Sequence, residues 1–419
     1  MPSYGIIGAG LSGINAARHA LDAGGQVTIF EQTDKIGGTW VYTDETEKDK
    51  NGLEVHSSMY QGLRTNLPKE TMGFADFPIG DQEDSYVTSE DVLQFIVRYA
   101  EKFDLRKLVK FEHHVIRVIP LREGEKWQVL VKDLKTGDYH EHTFDFLLVC
   151  NGHHFRPLYP EIEGRRRFKG LQLHSHEYRC PDRFRDKKVV MIGGSHSGMD
   201  ISIAIAPVAE KTVLSHRCAQ PLNIFYDKVI QKPEIIRIYE DEVEYVDGTR
   251  EKFDVIIHCT GYKIVFPFLS ADCGIYVEDN HVRRLFKHII NIRYPTMAII
   301  GLPFSACFTL MVDLQVRFTI AFFSGSRKLP TREEMLTDTA ADEEERISKG
   351  LMGKFAHMLA GDMQQRYYDA LASTADVEPL KPVLTKLYAV SIAEKKEDIM
   401  NYRKHKYRIV DDENFIKIE

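Results

Sequence analysis

The sequence lacks the cysteine patterns that indicate a dithiol reductase or a zinc enzyme. Its six cysteines, at positions 150, 180, 218, 259, 273 and 307, are scattered along 419 residues. They form no Cys-x-x-Cys pair and no Cys/His cluster at metal-ligand spacing. Free cysteines of this kind are most often small buried side chains. We therefore predict no metal site and no disulfide relay.

The chain also lacks an excess of positive charge. Its 55 Lys and Arg residues face 62 Asp and Glu residues, which gives a formal net charge of -7. Because the phosphate backbone of a nucleic acid binds to basic surfaces, this composition argues against nucleic acid as a partner. With 43% apolar residues, the chain is long enough for two domains with sizeable cores.

Long apolar runs are scarce as well. The charge-free run 294–312 is long enough to span a membrane, but Pro295, Gly301 and Pro303 interrupt it. It predicts a strand, a loop and the start of a helix. The N-terminus has no basic region followed by a long apolar segment. We expect no membrane span, and a soluble protein that is cytoplasmic as given, or secreted if a signal peptide was removed.

What the sequence does contain is a strand-turn-helix-strand pattern that occurs twice. Residues 3–10 predict a strand, 11–23 a helix and 26–32 a second strand. The pattern restarts at Lys187, and its second strand is predicted at 212–217. This order is typical of a parallel βαβ unit that binds a dinucleotide. The predicted fold class is α/β with two Rossmann-like domains.

The segments around these units complete the predicted organisation. Residues 89–105 predict an amphipathic helix with Ser89 as its N-cap. Runs at 114–120, 127–133 and 144–150 predict a small meander. From about residue 330 the chain is rich in helix formers and charged residues, which predicts a helical C-terminal segment.

The first glycine loop reads G-A-G-L-S-G and follows the first predicted strand. Gly8 allows a tight turn, Gly10 lets a pyrophosphate approach the backbone, and Gly13 lets helix and strand pack closely. Glu31 ends the second strand, where a carboxylate accepts a hydrogen bond from a ribose without a 2'-phosphate, as in FAD or NAD. The residues predicted to bind this dinucleotide are Gly8, Gly10, Leu11, Ser12, Gly13 and Glu31.

A short turn after the second strand is a further candidate. Gly38, Thr39 and Trp40 combine flexibility, a hydroxyl donor and a large flat ring. Such a segment can line the flavin end of a long cofactor, and a loop with a packing Trp is the alternative.

The second glycine loop reads G-G-S-H-S-G and departs from the first at Ser195, which replaces the middle glycine. Its second strand ends in Ser215-His216-Arg217 instead of an acid, the change expected for NADP, although an exposed strand-end Arg is the alternative. The predicted NADP(H) ligands are Ser195, His196, Ser197, Gly198, Ser215, His216 and Arg217. We expect an FAD-binding domain at 1–156 and 276–419 and an NADPH-binding domain at 157–275.

Between the two loops lies the stretch FKGLQLHSHEY. It fits the pattern F-x-G-x-x-x-H-x-x-x-Y and resembles the identifying motif of flavin-containing monooxygenases and their Baeyer-Villiger relatives. The residues that carry this resemblance, here called the fingerprint, are Phe168, Gly170, His174 and Tyr178.

The resemblance extends to about residue 320. Segments at 63–78, 149–153, 259–262 and 313–317 are similar to further segments of the family. The C-terminal remainder resembles the soluble, short insect members. We expect the fingerprint to hold the connection between the two domains.

This resemblance implies the chemistry. NADPH would reduce FAD, and a C4a-hydroperoxyflavin would oxygenate a soft nitrogen or sulfur of a small amine or sulfide substrate with O2, as in alkaloid N-oxygenation or detoxification. It also implies that Asn66 is catalytic and holds the peroxide, that Thr65 lies near the nicotinamide ribose, that Val115 lies near the adenine and that Gln315 lies near the isoalloxazine. By residue type alone, Asn66 could instead cap a turn.

Three other functions remain open. A Baeyer-Villiger oxygenase or an uncoupled NADPH oxidase would differ only in the fate of the activated oxygen. A flavin-binding redox sensor would use the C-terminal helices for interaction and would turn over NADPH negligibly. The sequence is equally compatible with a homo-oligomer.

Overall fold

A computed structural model describes residues 1–218, 228–359 and 361–418. Over these ranges the chain forms seven α-helices, and it is an α/β protein with two Rossmann-like units, as predicted. The helices are α1 (Leu11–Asp22), α2 (Ser89–Lys102), α3 (His196–Ile205), α4 (Phe308–Phe323), α5 (Arg332–Ser348), α6 (Met363–Ala375) and α7 (Pro382–Glu397).

The strands form two large sheets and several small ones. They are β1 (Ser3–Ile7), β2 (Gln26–Glu31), β3 (Val109–Phe111), β4 (His113–Leu121), β5 (Lys126–Asp133), β6 (Tyr139–Phe144), β7 (Phe146–Val149), β8 (Arg156–Pro157), β9 (Leu171–His174), β10 (Lys188–Ile192), β11 (Lys211–Ser215), β12 (Ile230–Lys232), β13 (Ile235–Ile238), β14 (Glu242–Tyr245), β15 (Arg250–Lys252), β16 (Val255–His258), β17 (Tyr262–Lys263), β18 (Val277–Glu278), β19 (His281–Val282), β20 (Leu285–Phe286), β21 (Ile290–Asn291), β22 (Met297–Ile299), β23 (Lys406–Ile409) and β24 (Phe415–Ile418).

The first large sheet has the order β20-β21-β22-β7-β1-β2-β3. Its strands from β22 to β3 are parallel, with β1 between β7 and β2. Helix α1 covers β1 with a face of small residues, because Ala16, Ala17 and Ala20 are fully buried. Small side chains bring the helix close to the sheet, so the loop before α1 lies directly at the carboxyl end of β1.

The second large sheet has the order β12-β11-β10-β16-β9, and all of its neighbouring pairs are parallel. Strand β10 takes the central place that β1 has in the first sheet, and α3 follows it. Residues 189–192 of β10 are buried, as expected for a strand covered on both faces. The edge strand β9 carries the fingerprint His174.

Two local predictions are wrong. The N-cap of α2 is Thr88, whose hydroxyl accepts from the Asp91 N–H in a capping box, so Ser89 is the first helical residue. The predicted third strand of the meander, 144–150, does not join it: apart from Phe144, which ends β6, the run forms β7. Only β6 pairs with β5, whereas β7 enters the first sheet beside β1, because its buried run FLLV fits a strand covered on both faces.

The segment after residue 330 is helical as predicted, with α5, α6 and α7, and it ends in a β23–β24 hairpin that the sequence did not predict. The charge-free run forms β22, a loop and the start of α4, as expected. Within the described ranges, the helices are too short or too polar to cross a membrane.

Candidate functional site

The two glycine loops have nearly the same backbone geometry. Gly8 and Gly193 have φ angles of 102° and 117°, a region that L side chains rarely adopt. A Cβ added to Gly8 would lie 2.6 Å from the carbonyl oxygen of Cys150, and one added to Gly193 would lie 2.4 Å from that of Cys259. Both turns therefore require glycine, and each lies against the end of a neighbouring parallel strand.

The helix that follows each loop lies equally close. A Cβ on Gly13 would lie 1.9 Å from the Gly8 carbonyl oxygen, and a Cβ on Gly198 would lie 1.8 Å from that of Gly193. These contacts leave room for no side chain, so helix and turn are in direct backbone contact. The spacing of the glycines in the sequence thus allows the close packing of helix against turn that the dinucleotide motif requires.

Both helices begin with free N–H groups. The N-cap residues, Gly10 and Ser195, have extended backbones, and neither α1 nor α3 has a side-chain cap. By contrast, α2 and α5 begin with capping boxes that use their own side chains. Uncapped N–H groups at a helix start suit an anion such as pyrophosphate. The loops fit two dinucleotides.

The remaining residues of the two loops line these helix starts. Leu11 is buried as the first residue of α1, and a Cβ on Gly301 would lie 3.3 Å from the Ser12 hydroxyl oxygen. In the second loop Ser195 and His196 are exposed and Ser197 is half-buried.

A second turn covers the first loop. A Cβ on Gly38 would lie 2.9 Å from the Gly10 Cα, so the two glycines are in close contact. The Thr39 hydroxyl oxygen is buried and has no hydrogen-bond partner in the described part of the chain, while Trp40 packs at the edge of the main core. An unpaired buried hydroxyl is costly unless a ligand or water satisfies it. Thr39 therefore fits a ligand that enters beside the first loop.

Glu31 lies at the end of β2, beside this loop. It is 7% exposed, and its carboxylate accepts the N–H of Ala9 at 2.9 Å and that of Thr33 at 2.8 Å. Burial raises the pKa of Glu31, and these N–H donors oppose that shift by favouring the ionised form. Its carboxylate also holds the loop in position, a structural role that the sequence did not reveal.

Strand β11 ends in Ser215, at the place where β2 ends in Glu31. The Ser215 hydroxyl is buried and donates to the Pro233 carbonyl at 2.8 Å, and the His216 ring lies 2.9 Å from the Gln231 side-chain oxygen. The Arg217 side chain is 75% exposed and pairs with Glu234 at 2.7 Å. Of the three predicted residues, Arg217 therefore offers an accessible cation, while Ser215 and His216 shape the strand end.

Thr65 and Asn66 lie in a segment held by backbone bonds, including Thr65 N–H to the Val87 carbonyl at 2.9 Å. The Thr65 hydroxyl is buried without a partner. The Asn66 amide is half-buried and has no hydrogen-bond partner among the described residues, so it does not cap a turn. Both polar groups are therefore free for a ligand.

Val115 and Gln315 are both enclosed by protein. Val115 is 6% exposed and pairs with Val131 in the β4–β5 ladder. Gln315 is fully buried in α4, where its oxygen accepts the Gly301 N–H at 2.8 Å and its nitrogen donates to the Tyr367 hydroxyl at 2.7 Å. Both ends of this amide are engaged, so Gln315 fixes the Gly301 turn that faces Ser12. Direct contacts of Val115 and Gln315 with FAD stay predictions.

The fingerprint occupies the edge of the second sheet. A Cβ on Gly170 would lie 2.5 Å from the Asp254 carbonyl oxygen, and the Tyr178 ring meets Tyr60 edge-on at 5.3 Å. His174 is fully buried, and burial followed by nearby histidines lowers its pKa to about 3. Next to the fingerprint, Arg179 donates to the carbonyls of Thr43, Glu45 and Ser57. The segment therefore connects the second sheet to the loop at 41–60.

One residue near the first loop was missed as a site residue. Asn151 follows β7, and its Cα lies 3.5 Å from a Cβ added to Gly8. Its side-chain nitrogen is buried and has no hydrogen-bond partner among residues 1–218, 228–359 and 361–418. The signal was the Asn-Gly turn after a buried strand, since the carboxyl ends of parallel strands form ligand sites.

Comparison with known proteins gives the family. The chain matches the family described as flavin-binding monooxygenase-like over residues 3–222 and 218–391. It is 36% identical over 435 residues to flavin-containing monooxygenase FMO GS-OX-like 6 of Arabidopsis thaliana, covering 98% of this chain and 91% of that protein.

Two solved structures are similar along nearly the whole chain. S-allyl-L-cysteine S-oxygenase from Allium sativum has a TM-score of 0.89 at 33% identity, covering 96% of this chain and 94% of that one. Tmm from a Pelagibacter species has a TM-score of 0.86 at 25% identity, covering 97% and 93%. The chain therefore belongs to the flavin-binding monooxygenase-like family and is an FAD-dependent NADPH monooxygenase.

Proposed function

We propose that the protein transfers one oxygen atom of O2 to a soft sulfur or nitrogen atom of a small molecule. The observation that carries the proposal is the pair of glycine loops with one backbone geometry and different strand ends, together with the unpaired amide of Asn66. Two dinucleotide sites would allow one bound nucleotide to supply a hydride to the other. A free neutral donor suits a step that must stabilise developing negative charge.

The first loop is proposed to hold FAD. The uncapped N–H groups of α1 would bind its pyrophosphate, and Glu31 would accept from the ribose of its adenosine half. Gly38, Thr39 and Trp40 would cover its flavin half. Reduced by NADPH, a flavin supplies activated oxygen, so the protein contributes binding, orientation and the exclusion of water.

The second loop is proposed to hold NADP(H). Ser195, His196, Ser197 and Gly198 present the N-terminus of α3 to its pyrophosphate, and Arg217 would bind the 2'-phosphate. The Glu234 carboxylate now paired with Arg217 would give way to the phosphate. We assign residues 157–275 to this nucleotide and residues 1–156 and 276–419 to FAD, which agrees with the strand membership of the two sheets.

Asn66 is proposed as the catalytic amide. Its N–H group can donate to the bound oxygen without carrying a titrating proton, since a carboxamide stays neutral at all physiological pH values. Thr65 is proposed to meet the nicotinamide ribose. Because both groups lie on one short segment, oxygen and nicotinamide would be held side by side.

For the substrate we propose a thioether as the first choice. This choice is supported by the likeness to an S-allyl-L-cysteine S-oxygenase over 96% of the chain. A tertiary amine is the second choice, since nitrogen and sulfur lone pairs accept the same electrophilic oxygen.

The test is product analysis with NADPH, O2 and three probes: an alkyl thioether, a tertiary amine and a ketone. We expect the sulfoxide to form with the highest kcat/KM. A preferred ester product would mean Baeyer-Villiger chemistry, and H2O2 with every probe would mean an oxidase. Bound FAD with negligible NADPH turnover would mean a redox sensor.

A matched pair of variants tests Asn66. Asn66→Asp keeps the shape but replaces the donor with a charge, so we expect kcat to fall roughly 100-fold, the typical cost of losing one such donor. Asn51→Asp, at a half-buried loop residue whose side-chain amide also has no hydrogen-bond partner among the described residues, is the control and is expected to keep the activity. Equal activities of the two variants would remove Asn66 from the mechanism.

A further inference from the structure

The C-terminal segment reaches both cofactor regions through one side chain. Arg403 lies between α7 and β23, and its Nε donates to the Thr65 carbonyl at 3.0 Å. One terminal nitrogen also donates to the Arg64 carbonyl at 3.4 Å. Arg403 thus holds the backbone of the segment that carries Asn66.

The same guanidinium is paired with the helix of the second loop. Its terminal nitrogens lie 2.7 Å and 3.4 Å from the two carboxylate oxygens of Asp200. Asp200 lies in the first turns of α3, two residues after Gly198. A guanidinium that donates to both oxygens of a carboxylate fixes the orientation of the two side chains more firmly than a lysine ammonium could.

The pair is partly shielded from solvent and lies near further polar groups. The side chains of Arg403 and Asp200 are 24% and 13% exposed. Lys395 of α7 is 5% exposed, and its ammonium has no hydrogen-bond partner among the described residues. Burial first, then the Asp200 charge, raises the pKa of Tyr60, a residue of the loop that meets Tyr178. Asp200 is therefore the anion shared by two cations and a phenol from other segments.

We propose that the Arg403–Asp200 pair is a positioning device that transmits NADP(H) binding at α3 to the Thr65–Asn66 segment. The inference rests on the proposed roles of the second loop and of Asn66. A nucleotide that orders the start of α3 also orders Asp200. Through the guanidinium, Asp200 then orders the Thr65 carbonyl. Coupling of this kind is reciprocal, so losing it also weakens NADP+ binding.

The test uses the FAD-loaded enzyme and NADP+ as the probe. Hydrogen exchange of the peptide that contains residues 63–69 is measured with and without NADP+, together with the NADP+ Kd and the share of NADPH oxidised to H2O2. In the wild type we expect NADP+ to slow exchange in this peptide. In Arg403→Gln that protection falls by at least about half, the NADP+ Kd rises roughly fivefold, and the H2O2 share rises.

Three further variants sharpen the test. Arg403→Lys keeps the charge without the fork and is expected to give intermediate values. Asp200→Asn removes the carboxylate that offsets the charges of half-buried Arg403 and buried Lys395, so it lowers the melting temperature more than Arg403→Gln does. Arg237→Gln breaks a comparable ion pair with Glu163, 2.7 Å long and more exposed, and is expected to match the wild type.

The outcomes separate the inference from the proposed function. If the wild type retains no NADP+ or oxygenates nothing, the proposed function fails. If the wild type behaves as proposed and Arg403→Gln keeps full NADP+-dependent protection, the positioning role is overturned. Faster exchange in Arg403→Gln with an unchanged response to NADP+ would also overturn it, since that is the sign of a merely structural contact.

Discussion

The two glycine loops differ at their middle position, Gly10 in the first and Ser195 in the second, and the backbone conformations do not explain this difference. The N-cap backbones of Gly10 and Ser195 are nearly identical, with φ and ψ of −76° and −173° in the first loop and −91° and −172° in the second. A serine therefore fits either conformation. In the first loop the Gly38 turn lies against this position, because a Cβ added to Gly10 would already be in contact with the Gly38 Cα at 3.4 Å, whereas Ser195 is exposed.

This difference indicates that the residue type at the middle position of such a loop depends on the protein segments packed against it as well as on the cofactor. In the first loop a second turn covers the approach, which suits a cofactor that stays enclosed. On the second loop no such turn lies within the described residues, and Ser195 and His196 are exposed, which suits a nucleotide that must enter and leave. The ends of the second strands differ in exposure in the same way, since Glu31 is buried beside the first loop and Arg217 is exposed beside the second.

The largest expected loss of cofactor affinity comes from substituting the last glycine of each loop, a position at which the two loops are alike. In Gly13→Ala or Gly198→Ala the new Cβ would overlap a backbone carbonyl, and overpacking of this kind costs about 3 kcal/mol, or roughly a 100-fold loss of affinity. Gly13→Ala should lose FAD, whereas Gly198→Ala should keep FAD and lose NADP+. Flavin content and NADP+ titration measure the two losses.

The control for this pair is Gly137→Ala. Gly137 is exposed, and among the described residues no atom lies within 4 Å of its Cβ position, so a methyl group there strains only the local turn, where φ is 84°. It should retain both cofactors. The assignment of the two loops would be wrong if Gly198→Ala lost FAD selectively.

The next largest effect is expected at the strand end. Arg217→Ala removes the accessible cation, so the preference for NADPH over NADH should fall about tenfold, since the site is solvent-exposed and screened. The ratio of kcat/KM values for the two nucleotides measures it. Arg250→Ala, an exposed ion-paired arginine elsewhere in the same unit, serves as the control. An unchanged ratio would assign 2'-phosphate binding to another residue.

Exchanging the middle residues of the two loops tests whether the neighbouring turn determines the residue type at this position. Gly10→Ser places a side chain against the Gly38 turn, so we expect FAD affinity to fall about threefold to tenfold, the effect of modest overpacking. Ser195→Gly meets no such turn, so the NADP+ Kd should change less than about threefold. Equal penalties in the two loops would contradict the neighbour-based explanation.

The last prediction concerns the stability of the fold near the second loop. Burial lowers the pKa of Lys395 from its usual value to about 8, so between pH 8 and 10.5 the unfolded chain binds more protons than the folded one. The unfolding free energy of the wild type should therefore rise with pH across this window relative to that of Lys395→Met. Chemical denaturation at several pH values measures the slope, and Lys187→Met, at an exposed site, is the control. A parallel response of wild type and Lys395→Met would refute it.

Most of the two units could be predicted because their determinants are local. Gly8, Gly13, Gly193 and Gly198 lie within single turns, and their spacing reflects backbone contacts over a few residues. Glu31 and Arg217 mark strand ends that a pattern of apolar residues reveals. The fold class and the cofactors follow from these features.

What the sequence could not reveal depends on contacts between distant segments. Arg403 and Thr65 are 338 residues apart, and no local pattern relates them. The engagement of Gln315 with Tyr367 is equally long-range. The β7 strand was assigned to the wrong sheet because an apolar run fits an antiparallel meander and a parallel sheet equally well, and only tertiary packing decides between them.

The most direct test of the account is the stoichiometry of turnover with an alkyl thioether and isotopically labelled O2. The account predicts one sulfoxide for each NADPH and each O2 consumed, with the sulfoxide oxygen derived from labelled O2. NADPH oxidation without labelled product, or a product oxygen derived from water, would contradict it.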